Sequence, residues 1–101
     1  MKIHTIKLNE EYADAVLSGE KSFEIRENDR GYQKGDRVRF KVIDNLQLSV
    51  RHPLNDKEYE ITYLLHGFGL IGNWCVFAIR EATQKQIYNA PTIIPADKEE
   101  T

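Results

Sequence analysis

The stretch Arg37-Val38-Arg39-Phe40-Lys41-Val42-Ile43 carries the clearest periodic pattern in the chain. Apolar and basic residues alternate in it, and the side chains of a β-strand alternate between two faces. The pattern therefore predicts a strand with Val38, Phe40 and Val42 on a buried face. Its basic residues lie on the opposite face, which is in contact with solvent.

The segment before this strand predicts a strand followed by a short helix. Lys2 to Leu8 reads as a strand with imperfect alternation. Asn9 is a good helix N-cap, and Gly19 is the expected left-handed stop, about two and a half turns later. The apolar stripe of this helix comprises Tyr12, Ala15 and Val16, with Ala13 left open as a further member.

The remaining segments predict a small β-barrel. Strands are expected at 22–26, 58–65 and 74–80, and 45–53 is ambiguous, with room for one more short strand. In the strand 58–65, Tyr59, Ile61, Tyr63 and Leu65 share one face. Many short strands separated by turns favour a closed or nearly closed barrel. The fold class is therefore α+β or mainly β, a barrel of five to six strands with one short N-terminal helix.

Two segments outside these strands leave alternatives open. The glycine-rich loop 66–73 has an apolar tip at Phe68 and Leu70, which forms either a mobile lid or a plug for the barrel end. Residues 1–80 form the predicted domain and 81–101 a C-terminal extension. Within the extension, four apolar residues are expected to dock on the domain or on a partner subunit: Ile87, Tyr88, Ile93 and Ile94.

Composition limits the classes of function. The chain has 101 residues, one cysteine, and no apolar run that approaches the roughly 20 residues needed to cross a bilayer. No secretion signal follows Met1, so a cytoplasmic domain without membrane contact is expected. The net charge of -2 disfavours a grip on long duplex nucleic acid. Between Arg26 and Lys41, however, six basic residues face three acidic ones, which suits a small or single-stranded polyanion.

The run Gly19-Glu20-Lys21-Ser22-Phe23-Glu24-Ile25-Arg26 contains the main candidate site. Alternate side chains of a strand share a face, so Glu24 and Arg26 point the same way and can form an ion pair. Phe23 and Ile25 are then expected to enter the core. Lys21 either lies at the apolar rim, partly desolvated, or projects from the turn above the sheet. The alternative without a functional role is a surface salt bridge between Glu24 and Arg26, with Lys21 solvated beside it.

The same run resembles the G-x-K-x-x-E-x-R signature of the ASCH domain family, a β-barrel related to the PUA domain. Other parts of the chain also resemble a bacterial and phage branch of that family, from Lys2 to Arg80: the EIRENDR run, the Gly35-Asp36 turn, the YLLHGFGL segment and the WCVFAI strand. The resemblance implies an RNA-linked function, with Lys21, Glu24 and Arg26 lining a cleft between helix and barrel. RNA, a nucleotide or a nucleoside is then the expected ligand.

The resemblance also implies two enzymatic alternatives. Some small ASCH members are amidohydrolases that deacetylate acetylcytidine, and in such an enzyme Lys21 and Glu24 would be the catalytic residues. These enzymes carry threonine at the position of Glu24, so this chain departs from their pattern. Other members are ribonucleases. A protein-interaction module without a small ligand is the third class of function.

The remaining predictions concern ligands and single residues. Arg30 and Arg39 are expected to contact phosphates, together with Arg37 and Lys41. Trp74 either stacks a base at the cleft mouth or lies in the core, and the core is preferred. His66 is a weaker candidate for a proton carrier in the cleft. No cofactor or metal is expected, because the histidines and Cys75 lack metal-ligand spacing. The expected state is a monomer or a weak homodimer.

Overall fold

A computed structural model describes residues 1–82 of the chain. The elements follow the order β1 (Ile3–Asn9), α1 (Glu10–Ser18), β2 (Phe23–Glu27), β3 (Arg37–Ile43), a 3-10 turn (Pro53–Asp56), β4 (Glu58–His66) and β5 (Trp74–Glu81). The fold is thus mainly β with one short helix. Residues 83–101 of the predicted extension 81–101, which include its four apolar residues, lie outside the described residues.

The five strands form one sheet in the order β1-β3-β4-β5-β2. The β1–β3 pair is parallel and the other pairs are antiparallel. The sheet curls into a half-barrel, so that its edge strands β1 and β2 approach each other without forming a ladder in the described part of the chain. The ambiguous segment 45–53 adds only an isolated bridge between Ile43 and Ser49.

The predicted strand Arg37–Ile43 is confirmed, and it supplies the centre of the core. Val38, Phe40 and Val42 are at most 2% exposed. Inward residues of the other strands complete the core: Ile6 and Leu8 from β1, Tyr59 and Ile61 from β4, and Cys75, Phe77 and Ile79 from β5. Cys75 is fully buried among these residues as a small apolar side chain.

The helix begins and ends where its caps predict. The Asn9 side chain accepts a hydrogen bond from the Glu11 amide at 3.0 Å. Gly19 adopts the left-handed conformation at φ 87°, and its N–H donates to the Val16 carbonyl. Ala13 and Val16 are the buried residues of the helix, whereas Tyr12 is 46% exposed, so its place in the predicted apolar stripe is wrong.

A bulge in β4 overturns the predicted face of that strand. Ile61 pairs with Ile79, but the next pair is Tyr63 with Ala78, so Thr62 is an extra residue. An extra residue reverses the side-chain alternation beyond it. Tyr59 and Ile61 are therefore buried as predicted, whereas Tyr63 is 60% exposed and Leu64 packs on the core.

Candidate functional site

The gap between the two edge strands is a cleft of about 670 Å³. Residues from β1, α1, β2, the β2–β3 connection and β5 line it. Its lining includes Ile6, Lys7, Leu8, Tyr12, Lys21, Phe23, Glu24, Arg26, Arg30, Tyr32 and Trp74. The cleft therefore contains Lys21, Glu24, Arg26 and Arg30 of the predicted site.

Glu24 forms the centre of this cleft. It lies on the inward face of β2 and is only 2% exposed. Its Oε1 accepts hydrogen bonds from Arg26 Nε at 3.0 Å and Arg26 Nη2 at 2.9 Å, and its Oε2 contacts Lys21 Nζ. A buried carboxylate is tolerated only when cations and hydrogen bonds compensate its lost hydration. The two cations of the motif provide that compensation, so this is not a surface salt bridge.

The burial of Glu24 reverses the predicted faces of β2. Glu24 and Arg26 do share a face, as the alternation predicts, but that face is the inner one. Phe23 and Ile25, predicted to enter the core, are 43% and 51% exposed, so that prediction is wrong. Alternation separates two faces without saying which one is buried, and here the compensated carboxylate takes the inner position.

Lys21 takes the second of its two predicted placements. It precedes β2 and projects from the turn after α1, with its side chain 21% exposed. Its Nζ donates to the Phe23 carbonyl at 2.9 Å in addition to Glu24. The same ammonium lies 5.1 Å from the centroid of the Phe23 ring and 5.8 Å from that of Tyr12. A cation between two aromatic faces is held in a defined position at the cleft mouth.

Two arginines connect β2 and its following turn to the free edge of β1. Alternate residues of a parallel strand bond to the same neighbour, and the Lys2 carbonyl accepts from Arg37 on β3. The carbonyls of Thr5 and Lys7 therefore point to the opposite edge, which faces the cleft. Arg26 Nη2 donates to the Lys7 carbonyl at 2.7 Å, and Arg30 Nη1 donates to the Thr5 carbonyl at 2.6 Å.

Tyr32 and Trp74 are aromatic residues of the cleft. The sequence analysis did not identify Tyr32, and it preferred a core position for Trp74. Tyr32 is 4% exposed, and burial raises the pKa of its phenol, although Arg30 and Arg26 oppose this rise. Trp74 is 43% exposed and lines the cleft, so the preferred core placement is wrong. A tyrosine after Arg30-Gly31 in a polar turn gives no periodic signal, and only the fold brings it into the cleft.

A buried polar pair supports the Tyr32 ring from beneath. His4 Nε2 lies 2.8 Å from Asp36 Oδ2, and the His4 ring packs edge-on against Tyr32 with 4.8 Å between centroids. Burial alone would raise the pKa of Asp36. The hydrogen bonds from His4 and from the Lys2 and Gln33 amides outweigh it, so the pKa of Asp36 lies below its usual value.

The predicted phosphate ligands fall into two groups. Arg30 lines the cleft, whereas Arg39 lies on the outer face of β3, where its Nε donates to Glu58 at 2.9 Å. Arg37 contacts the same carboxylate at 3.3 Å. In the β1–β3 register Arg39 neighbours Thr5, and Lys41 neighbours Lys7. The outer basic residues are therefore adjacent to the cleft across β1, but they do not line it.

Other predicted features fall outside the cleft. His66 is exposed at the end of β4 and is not among the cleft residues. Phe68 is 90% exposed at the loop tip, so the loop does not plug the barrel. Among residues 1–82, no three His, Cys, Asp or Glu side chains are grouped to hold a metal ion. In the same part of the chain no helix is long and apolar enough to span a membrane.

Comparison with known proteins relates the chain to a family. Residues 3–79 match the model of a family described as Domain of unknown function (DUF3850). The chain belongs to this family. The DUF3850 match covers β1, α1, β2, β3 and β4 and most of β5, so it includes every cleft residue described above.

The DUF3850 domain also resembles a phage protein over part of its length. The protein described as "Uncharacterized 12.9 kDa protein in GpA 3'region" of Escherichia phage P2 is 51% identical over 35 residues. These residues make up 35% of this chain and 32% of the phage protein. The chain thus covers about a third of the length of that phage relative.

Proposed function

We propose that this DUF3850 domain is an ASCH-like, PUA-like barrel that binds single-stranded RNA or a nucleotide in the cleft between β1 and β2. The observation that carries this proposal is the combination of cations and aromatic rings in that one cleft. Lys21, Arg26 and Arg30 supply positive charge, and Phe23 and Trp74 supply exposed rings. Positive groups for phosphate and aromatic platforms for bases are the two requirements of single-strand recognition.

The size of the cleft fits a single nucleotide unit. Sites for small molecules are commonly about 300–1,000 Å³, and this cleft of about 670 Å³ lies within that range. The free edge of β1 adds backbone groups beside the space for the ligand. We infer that one nucleotide enters the cleft and that Glu24 orients Lys21 and Arg26 toward it.

The basic residues on the outer face of β1 and β3 extend the binding surface for a longer RNA. Lys7 is exposed on β1 and lines the cleft, and its neighbour across the β1–β3 ladder is Lys41. Arg39 follows on the same outer face. Neighbouring strands are about 4.8 Å apart, so the phosphates that flank a bound nucleotide can reach this face after crossing one strand. Arg39 then contacts the flanking backbone, while Arg30 contacts the nucleotide in the cleft.

A second candidate function is an amidohydrolase that acts on a modified nucleoside. The contact between Lys21 Nζ and Glu24 Oε2 at the cleft wall favours it, since an acid–base pair must meet at the reacting group. Glu24 is, however, engaged by Arg26 as well as by Lys21, and the resembling enzymes carry threonine at this position. Binding therefore remains the better supported function.

Fluorescence anisotropy with labelled single-stranded RNA tests the proposal. Lys21→Ala and Arg30→Ala are expected to weaken binding at least about tenfold, which corresponds to about 1.4 kcal/mol. The matched control is Lys34→Ala, which removes the same charge from an exposed turn outside the cleft and should change the Kd less than about threefold. Equal losses in all three variants would show unspecific charge attraction and refute the cleft.

The wild type, Lys21→Ala and a further variant, Glu24→Gln, separate binding from catalysis. Each is incubated with acetylcytidine, and the release of acetate is followed by chromatography. Turnover that disappears in both Lys21→Ala and Glu24→Gln would establish the amidohydrolase. RNA binding without turnover would support the binding domain, and neither binding nor turnover would exclude both functions.

A further inference from the structure

The outward side of β2, β5 and the second half of β4 is apolar. In the β-ladders Phe23 neighbours Ala78, which neighbours Tyr63, and Ile25 neighbours Val76, which neighbours Leu65. These six residues occupy two successive outward positions on each of three adjacent strands, and they are called here the outer apolar face. The inward residues of the same strands are Glu24, Leu64 and Phe77.

This face is unusual because a sheet packed on one side normally presents polar residues on the other. Tyr63 is 60% exposed, Ile25 51% and Phe23 43%. A half-exposed aromatic side chain leaves about 100 Å² in contact with water. The six residues together therefore expose several hundred Å², the size at which a patch on a monomer is commonly functional.

The β4 bulge brings Tyr63 and Leu65 onto this face. If Thr62 were paired regularly instead of bulged out, alternation would continue from Ile61 and turn Tyr63 inward and Leu64 outward. Bulges are common where a strand has to redirect a side chain, for example beside a functional site. The first half of β4 shows the contrast, since its outward residues Glu58 and Glu60 are both engaged in salt bridges.

The charges around the face complement each other under a twofold axis. Glu27 lies at one end, opposite Trp74, and Arg80 lies at the other end on β5. Six residues of strand separate Trp74 from Arg80, a distance of about 20 Å. In a face-to-face dimer, a twofold axis can lie in the interface, perpendicular to the strands. The strands of the two copies then run antiparallel to each other. Each Glu27 then meets the end that carries Arg80 of the other copy. The Arg80 side chain is 64% exposed, although it donates to Glu60 at 3.0 Å.

We propose that the outer apolar face is the interface of a homodimer in which two copies pack face to face with antiparallel strands. No charged residue lies within the six-residue face, so two copies can meet without burying an uncompensated charge. The apolar loop beyond Trp74, with Phe68 90% and Ile71 82% exposed, adds surface at the end of the interface. The area is near the lower limit of about 1,200 Å² for a specific complex, so the dimer is expected to be weak.

The same observations disfavour RNA as the occupant of this face. The face itself carries no cation, and Arg80, the basic residue of β5, lies at its end rather than along it. Single-strand binding surfaces combine aromatic rings with a positively charged groove. The candidate phosphate ligands lie instead in the cleft and on the outer face of β1 and β3, so RNA is expected there. Phe23 and Ile25 also line the cleft, so the proposed dimer interface borders the proposed RNA site.

Sedimentation equilibrium of the full chain tests the dimer. The wild type is expected to associate with a Kd in the micromolar to submillimolar range. Tyr63→Glu is expected to raise that Kd at least about tenfold, as an interface anchor would. Ile3→Glu is the matched control, because Ile3 is 54% exposed on β1 outside the face, and it should change the Kd less than about threefold. Circular dichroism shows whether each variant is folded.

A charge swap tests the orientation. Glu27→Arg and Arg80→Glu should each raise the Kd about two- to threefold, and the double variant should restore it, since rim pairs contribute modestly. A wild type that stays monomeric up to about millimolar concentration, or equal effects of Tyr63→Glu and Ile3→Glu, would overturn the proposal. If the protein dimerised only after deletion of 83–101, the outer apolar face would be assigned to that segment. If Tyr63→Glu lost RNA binding, the outer apolar face would be assigned to RNA. Both results would also overturn it.

Discussion

Replacement of Arg26 by alanine tests whether the motif is an integrated part of the fold. Arg26 donates twice to Glu24 and once to the Lys7 carbonyl, at 3.0, 2.9 and 2.7 Å. Its removal leaves the buried carboxylate with Lys21 alone and releases the contact between β2 and β1. The Arg26→Ala variant is therefore expected to lose stability well beyond that of an ordinary surface substitution.

The size of this loss follows from the contacts. Net hydrogen bonds to charged groups contribute about 1.5–3 kcal/mol each, and breaking a buried ion pair costs about 3–5 kcal/mol. The Arg26 side chain is 26% exposed and Lys21 remains on Glu24, so water and Lys21 compensate part of the loss. The expected decrease in the free energy of unfolding is about 2–3 kcal/mol. For a domain of this size that lowers the Tm by roughly 10–20 °C.

Urea unfolding followed by the fluorescence of Trp74, the only tryptophan of the chain, measures this loss. Arg39→Ala is the matched control. Arg39 also pairs with a buried carboxylate, Glu58, but its side chain is 56% exposed and Arg37 stays on the same partner. The control should lose less than about 1 kcal/mol. A loss in Arg26→Ala no larger than that of the control would refute the account of Glu24 burial.

Three further predictions concern the rest of the fold. Because the pKa of Asp36 in the folded state lies below 3.8, its contribution is present above that pH and disappears as the pH falls through the folded pKa. Asp36→Asn should therefore be less stable than wild type at neutral pH, and the difference in the free energy of unfolding should shrink in urea titrations as the pH falls below 3.8. A difference that stays constant with pH would contradict this. Gly19→Ala should lower the free energy of unfolding by about 1 kcal/mol in thermal unfolding, because a residue with a Cβ is strained at φ 87°. An unchanged stability would contradict the left-handed helix cap. Leu64→Ala should lower the free energy of unfolding by about 2 kcal/mol, and Tyr63→Ala should lower it by less than about 0.5 kcal/mol. A larger loss in Tyr63→Ala than in Leu64→Ala would exclude the β4 bulge.

The sequence was sufficient where one local signal determines one structural feature. The alternation in Arg37–Ile43 fixes both the extent of β3 and its buried face. Asn9 and Gly19 fix the ends of the helix, because a side-chain acceptor and a left-handed glycine satisfy its terminal backbone groups. Lys21, Glu24 and Arg26 were also expected to line one cleft, and they lie together in it.

The sequence was insufficient where the outcome depends on long-range packing. Alternation in β2 could not reveal that Glu24 is buried, because Arg26, which compensates the Glu24 carboxylate, is also bonded to the Lys7 carbonyl on a distant strand. The bulge at Thr62 has no local signature, so the face of Tyr63 was predicted incorrectly. For Trp74 the core was preferred over the cleft mouth because a lone tryptophan in a small barrel usually lies in the core, whereas the curl of the sheet leaves it at the cleft.

The outer apolar face is linked to these errors. A rule that places apolar strand residues inside assigned Phe23 and Ile25 to the core, although they form part of this exposed face. The rule fails at surfaces that serve as interfaces, because such surfaces keep apolar residues in contact with water until a partner covers them. The failed prediction and the proposed dimer thus have the same physical origin.

A nitrogen-15 NMR titration with single-stranded RNA tests the central claim, which is that the cleft between β1 and β2 is the ligand site. The cleft account predicts that the largest shifts cluster in residues 19–32, in the backbone of β1 and at the indole N–H of Trp74. Smaller shifts should follow at Arg39 and Lys41 on the neighbouring outer face. Shifts confined to β4 and to the part of β5 after Trp74, or no shifts at millimolar RNA, would contradict the account.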